Sequence, residues 1–326
     1  MVEAAENERG GMSERGSAAA SHLIGVALAA VAAIAFSLRA IFVKLAYEDM
    51  SDPVTLLALR MLFSLPFFVV ALAWHRGAAS AQQPIGPRDA LALAALGFVG
   101  YYLSSLLDMI GLQFVAAGVG RLLLFIYPTI VVIISALVLG KRISRREVVA
   151  LAITYAGVAL VLSGQYDKAS PNFWLGASLI MLSAVTFSVY LVGSGEVVSR
   201  VGSVRFTAYA TVAASVLCIL QFLALRPLSA LVLPLRVYEL ALAMALISTV
   251  MPLFMMAEAL RRIGASRVAM IGALGPAATV ISGYIGLGEA MTWPQTAGGV
   301  LVVLGVLVVA AQARKPDQKG RRSLRG

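Results

Sequence analysis

The sequence predicts an all-α integral membrane protein, with ten transmembrane helices arranged as two inverted five-helix repeats. Three observations predict it. Of the 326 residues, 60% are hydrophobic and 13% charged, against roughly 45–50% and about 25% in soluble domains. A water-soluble globule of this length could not hide so much apolar side chain. The apolar residues also gather in long runs rather than in ten-residue alternations, which selects helices over a β-barrel. Finally, residues 112–161 align without a gap on residues 260–309, at an offset of 148.

The elements follow in order along the chain. Residues 1–22 are polar and mildly acidic, with Glu3, Glu6, Glu8 and Glu14 against Arg9 and Arg15, and read as a disordered cytoplasmic leader. A cleaved signal peptide would begin basic and carry a short apolar core. Here the apolar run starts near Leu23 and continues past Phe42, so it reads as a retained first span. Runs of spanning length fall at 23–46, 54–74, 90–110, 118–139 and 147–163, and again at 174–194, 204–224, 237–257, 266–287 and 294–313. Brief connections separate them and leave no room for a soluble domain. A basic tail occupies 314–326.

Charge sets the orientation. The net charge of +10 would suggest nucleic-acid binding in a soluble protein. Here 19 cations sit in the leader, the tail and alternate connections, while Lys168, Arg226 and Arg236 are the 3 on the opposite side. Cytoplasmic loops carry the excess of Lys and Arg, so both termini are expected in the cytoplasm of a bacterial-type inner membrane. An even number of spans agrees with that split. The single cysteine, Cys218, lies in an apolar run and reads as an inert buried thiol.

Within the repeat, matching prolines and glycines carry the argument, because apolar pairs coincide easily in membrane segments. Pro128 pairs with Pro276, Gly140 with Gly288 and Gly157 with Gly305. A weaker echo joins Ala33, Phe36 and Ser37 to Ala184, Phe187 and Ser188. The expected repeats are 23–163 and 174–313. Five spans being an odd number, the second repeat must enter the membrane upside down. Secondary transporters use that device recurrently.

At this level the chain resembles the EamA-type members of the drug/metabolite transporter superfamily. The segment LGEAMTWPQTAGGVLVVLGVLVV, with Glu289 ahead of a Gly-rich span, is similar to that family's last helix pair. FVKLAYEDMSDPVTLLALRMLF, carrying Lys44 and Arg60, is similar to its first hairpin. The resemblance covers roughly 23–313. Two departures stand out: Lys141 where the first repeat's acidic residue is expected, and Ala35-Phe36-Ser37 where many members carry Trp-Gly. The resemblance implies export of small metabolites, amino acids included, through a cavity lined chiefly by helices 1, 3, 4, 6, 8 and 9.

Pro128 and Pro276 fall near the middle of their spans. Each removes a helical donor, so the carbonyls of Leu124 and Gly272 become free acceptors near the bilayer midplane, and both prolines are candidate hinges. Packing kinks satisfied by neighbouring hydroxyls are the plainer reading. Arg39, Lys44, Arg60, Asp108 and Arg121 all map to the outer half of the first repeat. Charges there are costly and must face partners or water. Asp108 and Arg121 lie at one depth and are expected to form a structural ion pair. Lys44 has Glu48 four residues on, which predicts a local pair. Arg39 and Arg60 are candidate anchors for a carboxylate or phosphate, with packing against Asp108 or a helix C-terminus as the alternative. Tyr101, Ser105 and Asp108 share one helix face, and with Tyr190 they are candidate substrate-binding residues. Glu196, Glu258 and Glu289 end their spans and are expected to be solvated, with Glu258 within reach of Arg261 or Arg262.

No Walker motif and no H-E-x-x-H occurs, and the two histidines, His22 and His75, sit at membrane edges. These absences disfavour ATP hydrolysis, an intramembrane zinc enzyme and a serine-protease triad. The leading expectation is a secondary active transporter exporting small metabolites such as amino acids by alternating access. An uncoupled exchanger, a channel-like pore and a lipid-modifying enzyme are the alternatives. Expected partners are a small-molecule substrate, the lipid bilayer and a proton or counter-substrate, with no nucleic acid, metal or cofactor, in a monomer or homodimer.

Overall fold

The computed structural model describes residues 2–78, 85–140, 143–163, 171–263, 268, 271–272, 274–289 and 291–312. The basic tail at 314–326 lies outside them, as do Lys141, Arg142 and Lys168. Among the described residues every regular element is helical. The first half holds α1 (Val2–Ser37), α2 (Arg39–Asp49), α3 (Pro53–Ala78), α4 (Pro87–Gly97), α5 (Ser104–Leu112), α6 (Ala117–Leu124), α7 (Tyr127–Leu139) and α8 (Arg145–Ser163). The second holds α9 (Phe173–Val201), α10 (Ser203–Leu225), α11 (Leu235–Ala245), α12 (Met251–Ile263), α13 (Leu274–Leu287) and α14 (Trp293–Gln312).

Seven stretches among the described residues are long and apolar enough to cross a membrane: Ala20–Asp49, Pro53–Ala73, Pro87–Leu112, Ala117–Val138, Phe173–Val198, Val204–Leu225 and Leu235–Ile263. Shorter apolar helices cover Val148–Ser163 and Ala277–Leu287. α1 runs back without a break to Val2, through the segment read as a leader. Its Ala and Glu content favours helix once the apolar part of α1 has nucleated it.

Small residues set the packing, as they must where lipid removes the hydrophobic drive between helices. A methyl added at Gly157 of α8 would sit 2.7 Å from the carbonyl of Gly298, and one at Gly305 would sit 2.9 Å from that of Ala150. These two contacts exchange under the 148-residue offset, and their order makes α8 and α14 antiparallel. A second pair obeys the same offset. π-Helical turns at Phe98–Leu103 and Leu246–Val250 interrupt the third and eighth apolar segments at equivalent places. Elsewhere α1 packs on α12, α5 on α9 and α3 on α10. Hydroxyls tie α5 to α9, where Ser183 Oγ donates to the Ser104 carbonyl at 2.7 Å.

Ion pairs close both ends of the bundle. At one end Arg226 Nε and Nη2 each donate to Asp52 at 2.9 Å, and Arg236 reaches Glu48 at 2.8 Å and Asp49 at 3.3 Å. Burial pushes the Asp52 carboxyl upward, but the bonds from Arg226 and Thr55 outweigh it and hold the group below the ordinary carboxylate value. At the other end Glu258 takes Arg261 at 2.6 Å and Arg262 at 2.7 Å, and Arg262 also donates to Ser21 Oγ of α1 at 3.3 Å. Glu48 therefore serves Arg236 rather than Lys44.

Candidate functional site

Two helix breaks open the interior. The first apolar helix stops at Ser37, whose hydroxyl turns back to the Ala33 carbonyl at 2.7 Å, and restarts at Arg39. Thr279 Oγ1 of α13 supplies a donor to the Ser37 carbonyl at 3.3 Å. The fourth apolar segment breaks between Leu124 and Tyr127, immediately ahead of Pro128, and Thr129 Oγ1 covers the Ile126 carbonyl at 2.6 Å. Proline can begin a helix but cannot continue one, so Pro128 marks the restart.

Between these breaks lies a cavity of about 230 Å³. Arg39, Arg60 and Arg121 stand in its wall with Ser104 and Ser105. Phe36, Tyr101, Phe125, Tyr127 and Phe187 give it an aromatic side, and the second half contributes Ser248, Thr249, Leu253, Met256 and Gly272. Arg39 Nη2 bonds Asp108 Oδ2 at 2.6 Å. Arg60 is 3% exposed, and among the described residues its guanidinium makes one hydrogen bond, Nη2 to Ser105 Oγ at 3.5 Å. Its Nε and Nη1 atoms, and Nε of Arg121, are buried without a hydrogen-bond partner among the described residues. Buried polar groups are normally satisfied. Guanidinium groups left open on a cavity wall are equipped to take an anion, bidentately where it is planar.

Known proteins agree with this layout. The sequence profile of the EamA-like transporter family matches residues 23–163 and 174–311, two copies that together take in most of the chain. The chain belongs to the EamA-like transporter family. One relative, "Uncharacterized transporter YcbK" of Bacillus subtilis (strain 168), is 31% identical over 283 residues, covering 84% of this chain and 89% of that protein. Another, of Streptantibioticus cattleyicolor, is named "Probable terminal-alkyne amino-acid exporter" and is 24% identical over 259 residues, covering 78% and 85%. A solved structure superimposes with a TM-score of 0.59 at 19% identity, over 91% of this chain and 99% of its own. That likeness concerns the fold.

Within this family member, several residues singled out in the sequence meet at the cavity and others do not. Arg39, Arg60, Tyr101, Ser105, Leu124 and Gly272 line it. Asp108 stands behind Arg39. Its expected pairing with Arg121 is replaced by the bond to Arg39, because equal depth does not fix which way a helix faces. Tyr47 of α2 donates to the Met109 carbonyl at 2.8 Å and holds α2 against α5. Meanwhile Glu289 accepts from the Ala117 and Gly118 amides at 3.0 and 3.3 Å, holding the start of α6 towards α13. Glu289 is thus a half-buried helix cap and not a solvated span end. Tyr190 donates to the Tyr101 hydroxyl at 3.0 Å and stacks on Phe187, so it supports the wall from outside. Pro276 sits at the third position of α13, four residues beyond the cavity-lining Gly272 by way of Ala273, which lies outside the described residues.

Arg121 as a wall residue, and both π turns, escaped the sequence reading. Given the first turn, the offset could have found the second. Gly100 and Tyr101 map onto Ser248 and Thr249, and all four line the cavity. π turns concentrate at functional sites, because the extra residue re-aims side chains and frees carbonyls.

Proposed function

We propose that this chain is a secondary active transporter of the cell membrane that exports small carboxylate-bearing metabolites, with amino acids as the leading class. The observation that carries the reading is the cavity wall with Arg60 and Arg121 open within the membrane-spanning part of the fold. The relative named as an amino-acid exporter supports the direction and the class. Ten spans are proposed, with the two shorter apolar helices and α14 crossing beside the seven long ones. They form inverted repeats over 23–163 and 174–313, with 1–22 and 314–326 in the cytoplasm. The antiparallel, offset-related contacts of α8 and α14 support the inversion. So does the 19-to-3 division of cations, and in that reading the Asp52–Arg226 clasp lies on the outer face.

In that orientation the inner half of the cavity is bounded by Leu253, Met256 and Gly272, and the arginines stand at its outer end. Alternating access would close the inner half around the substrate and part the outer clasps, with the breaks at Leu38 and at Phe125–Ile126 absorbing the change. Pro128 and the Gly272–Pro276 region are the proposed hinges, and the ion pairs at both ends favour gates over an open pore. The test is counterflow in proteoliposomes made from the purified full chain. Saturable exchange of an internally loaded carboxylate metabolite, lost in Arg60→Gln, is the expected result. Flux that fails to saturate, or exchange of carboxylates untouched by Arg60→Gln, overturns it.

A further inference from the structure

The cavity carries more positive charge than its own carboxylate neutralises. Three arginines stand in the wall and Asp108 answers one of them, Arg39. Among the described residues no carboxylate bonds Arg60 or Arg121. Arginine does not shed its proton in proteins, so both remain cations whatever the pH. Arg60 is 3% exposed, and Arg121 is half-buried with an Nε that is buried and has no hydrogen-bond partner among the described residues. Lys44 does not enter the balance. It is absent from the wall, and its electrostatic neighbour is Glu289, which is itself occupied with the Ala117 and Gly118 amides.

The two open arginines are held by different elements. Arg60 projects from α3 beside Ser105 of α5, while Arg121 projects from α6, where its Nη2 lies 3.5 Å from the methyl position at Gly275 of α13. One negative charge would leave one of these cations buried and uncompensated, an arrangement that proteins avoid. The remainder of the lining is aromatic and aliphatic, with Phe36, Phe125, Phe187 and Leu253, and suits a short hydrocarbon body.

We propose that the species recognised at this site is a small dianion, a dicarboxylate or a phosphate monoester, with Arg60 and Arg121 answering its two negative charges. The inference rests on the transport reading above and narrows it from carboxylates in general to doubly charged anions. Arg121 becomes a specificity-determining residue: with Arg60 alone the site matches a monoanion.

The experiment measures binding to the detergent-purified full chain at fixed ionic strength, by calorimetry and by ligand-induced thermal stabilisation. Matched pairs differ by one charge: succinate against succinamate, and glycerol 3-phosphate against its methyl diester. Leucine serves as a zwitterionic comparison. The dianion of at least one pair is expected to bind tenfold or more tightly than its monoanionic partner, and the pair that discriminates tells carboxylate from phosphate recognition. Arg121→Gln is expected to reduce that ratio towards one while monoanion binding persists, and Arg121→Lys to restore part of it. Monoanions or leucine binding as tightly as both dianions overturns the inference and leaves carboxylate transport standing. Absence of dianion binding at millimolar concentration also overturns it. Uptake confined to neutral or cationic solutes overturns both readings. If Arg121→Gln elutes aggregated, the ratios in the wild type and in Arg121→Lys decide the matter.

Discussion

Arg226 and Arg60 carry the same charged group and live under opposite rules. Arg226, at the end of the bundle, grips Asp52 through two bonds of 2.9 Å across the two halves of the molecule. Arg60, inside, meets a hydroxyl at 3.5 Å and keeps two nitrogens without partners. An exposed ion pair contributes little and is screened by salt, whereas a buried cation without a partner is costly. The molecule therefore sets a carboxylate against Arg226 where the two halves meet at the end of the bundle, and leaves Arg60 without one inside. Strain of this kind concentrates at functional sites and trades stability for activity.

The largest effect should come from Asp108→Asn. Arg39 would join Arg60 and Arg121 as a third unmatched cation, and breaking one side of a buried pair costs about 3–5 kcal/mol. A thermal melt of the purified variant should show a sharper drop than Arg60→Gln, Glu289→Ala or Arg226→Gln. An unchanged melt would mean that the Arg39–Asp108 bond of 2.6 Å carries no structural weight. Next stands Arg60→Gln, for which stability and function should move apart. Losing charge-assisted bonds to substrate should weaken binding by about 1.5–3 kcal/mol, on the order of ten- to a hundredfold. Removing an unsatisfied buried charge should leave the melting temperature equal to the wild type or above it. A variant that loses binding and stability together would erase the contrast with Arg226.

A smaller effect belongs to Glu289→Ala. Its carboxylate covers the Ala117 and Gly118 amides at the start of α6, and loss of such a cap costs about 1 kcal/mol. Because the cap joins α6 to the segment after α13, transport should slow more than binding weakens. Separate measurement of Kd and exchange rate in the reconstituted protein checks this.

The sequence made the scaffold legible and the pairing only partly so. Composition, run length and the prolines and glycines at fixed offset are local signals. They were enough to expect helices, a repeat, breaks near Pro128 and cavity positions at Leu124 and Gly272. Arg39 and Arg60 stood out because charge within a span needs an explanation. Counting along the chain set Asp108 and Arg121 at one expected depth, but it left open which way each side chain faces. Direction around the helix axis is set elsewhere, by Tyr47 drawing α2 onto α5 and Glu289 drawing α6 away. Those are contacts between residues 62 and 172 positions apart in the chain, and no periodicity announces them. The charged wall also comes from the first half alone, while Ser248 and Thr249 stand where Gly100 and Tyr101 stand in the other. A duplicated fold has kept its geometry and divided its chemistry.

The smallest effect, and the one that most sharpens the contrast, concerns Arg226→Gln. No change in substrate binding is expected, because Arg226 lies outside the cavity wall. A small loss of thermal stability should appear at neutral pH and fade on acidification. Asp52 is held below its ordinary value in the folded protein, where the bonds from Arg226 and Thr55 outweigh the opposing effect of burial. A carboxyl of this kind stabilises the folded state fully above its unfolded pKa, about 3.9, and loses that contribution as pH falls towards the depressed folded value. Melting curves of wild type and Arg226→Gln should therefore be separated at pH 7 and converge below about pH 4, where Asp52 takes up its proton. High salt at neutral pH should narrow the same gap through screening, whereas the effect of Arg60→Gln on binding, made in a buried site, should respond far less. Equal salt sensitivity at the two arginines would show that the interior cation is solvated like the surface one, and the distinction drawn between them would fail.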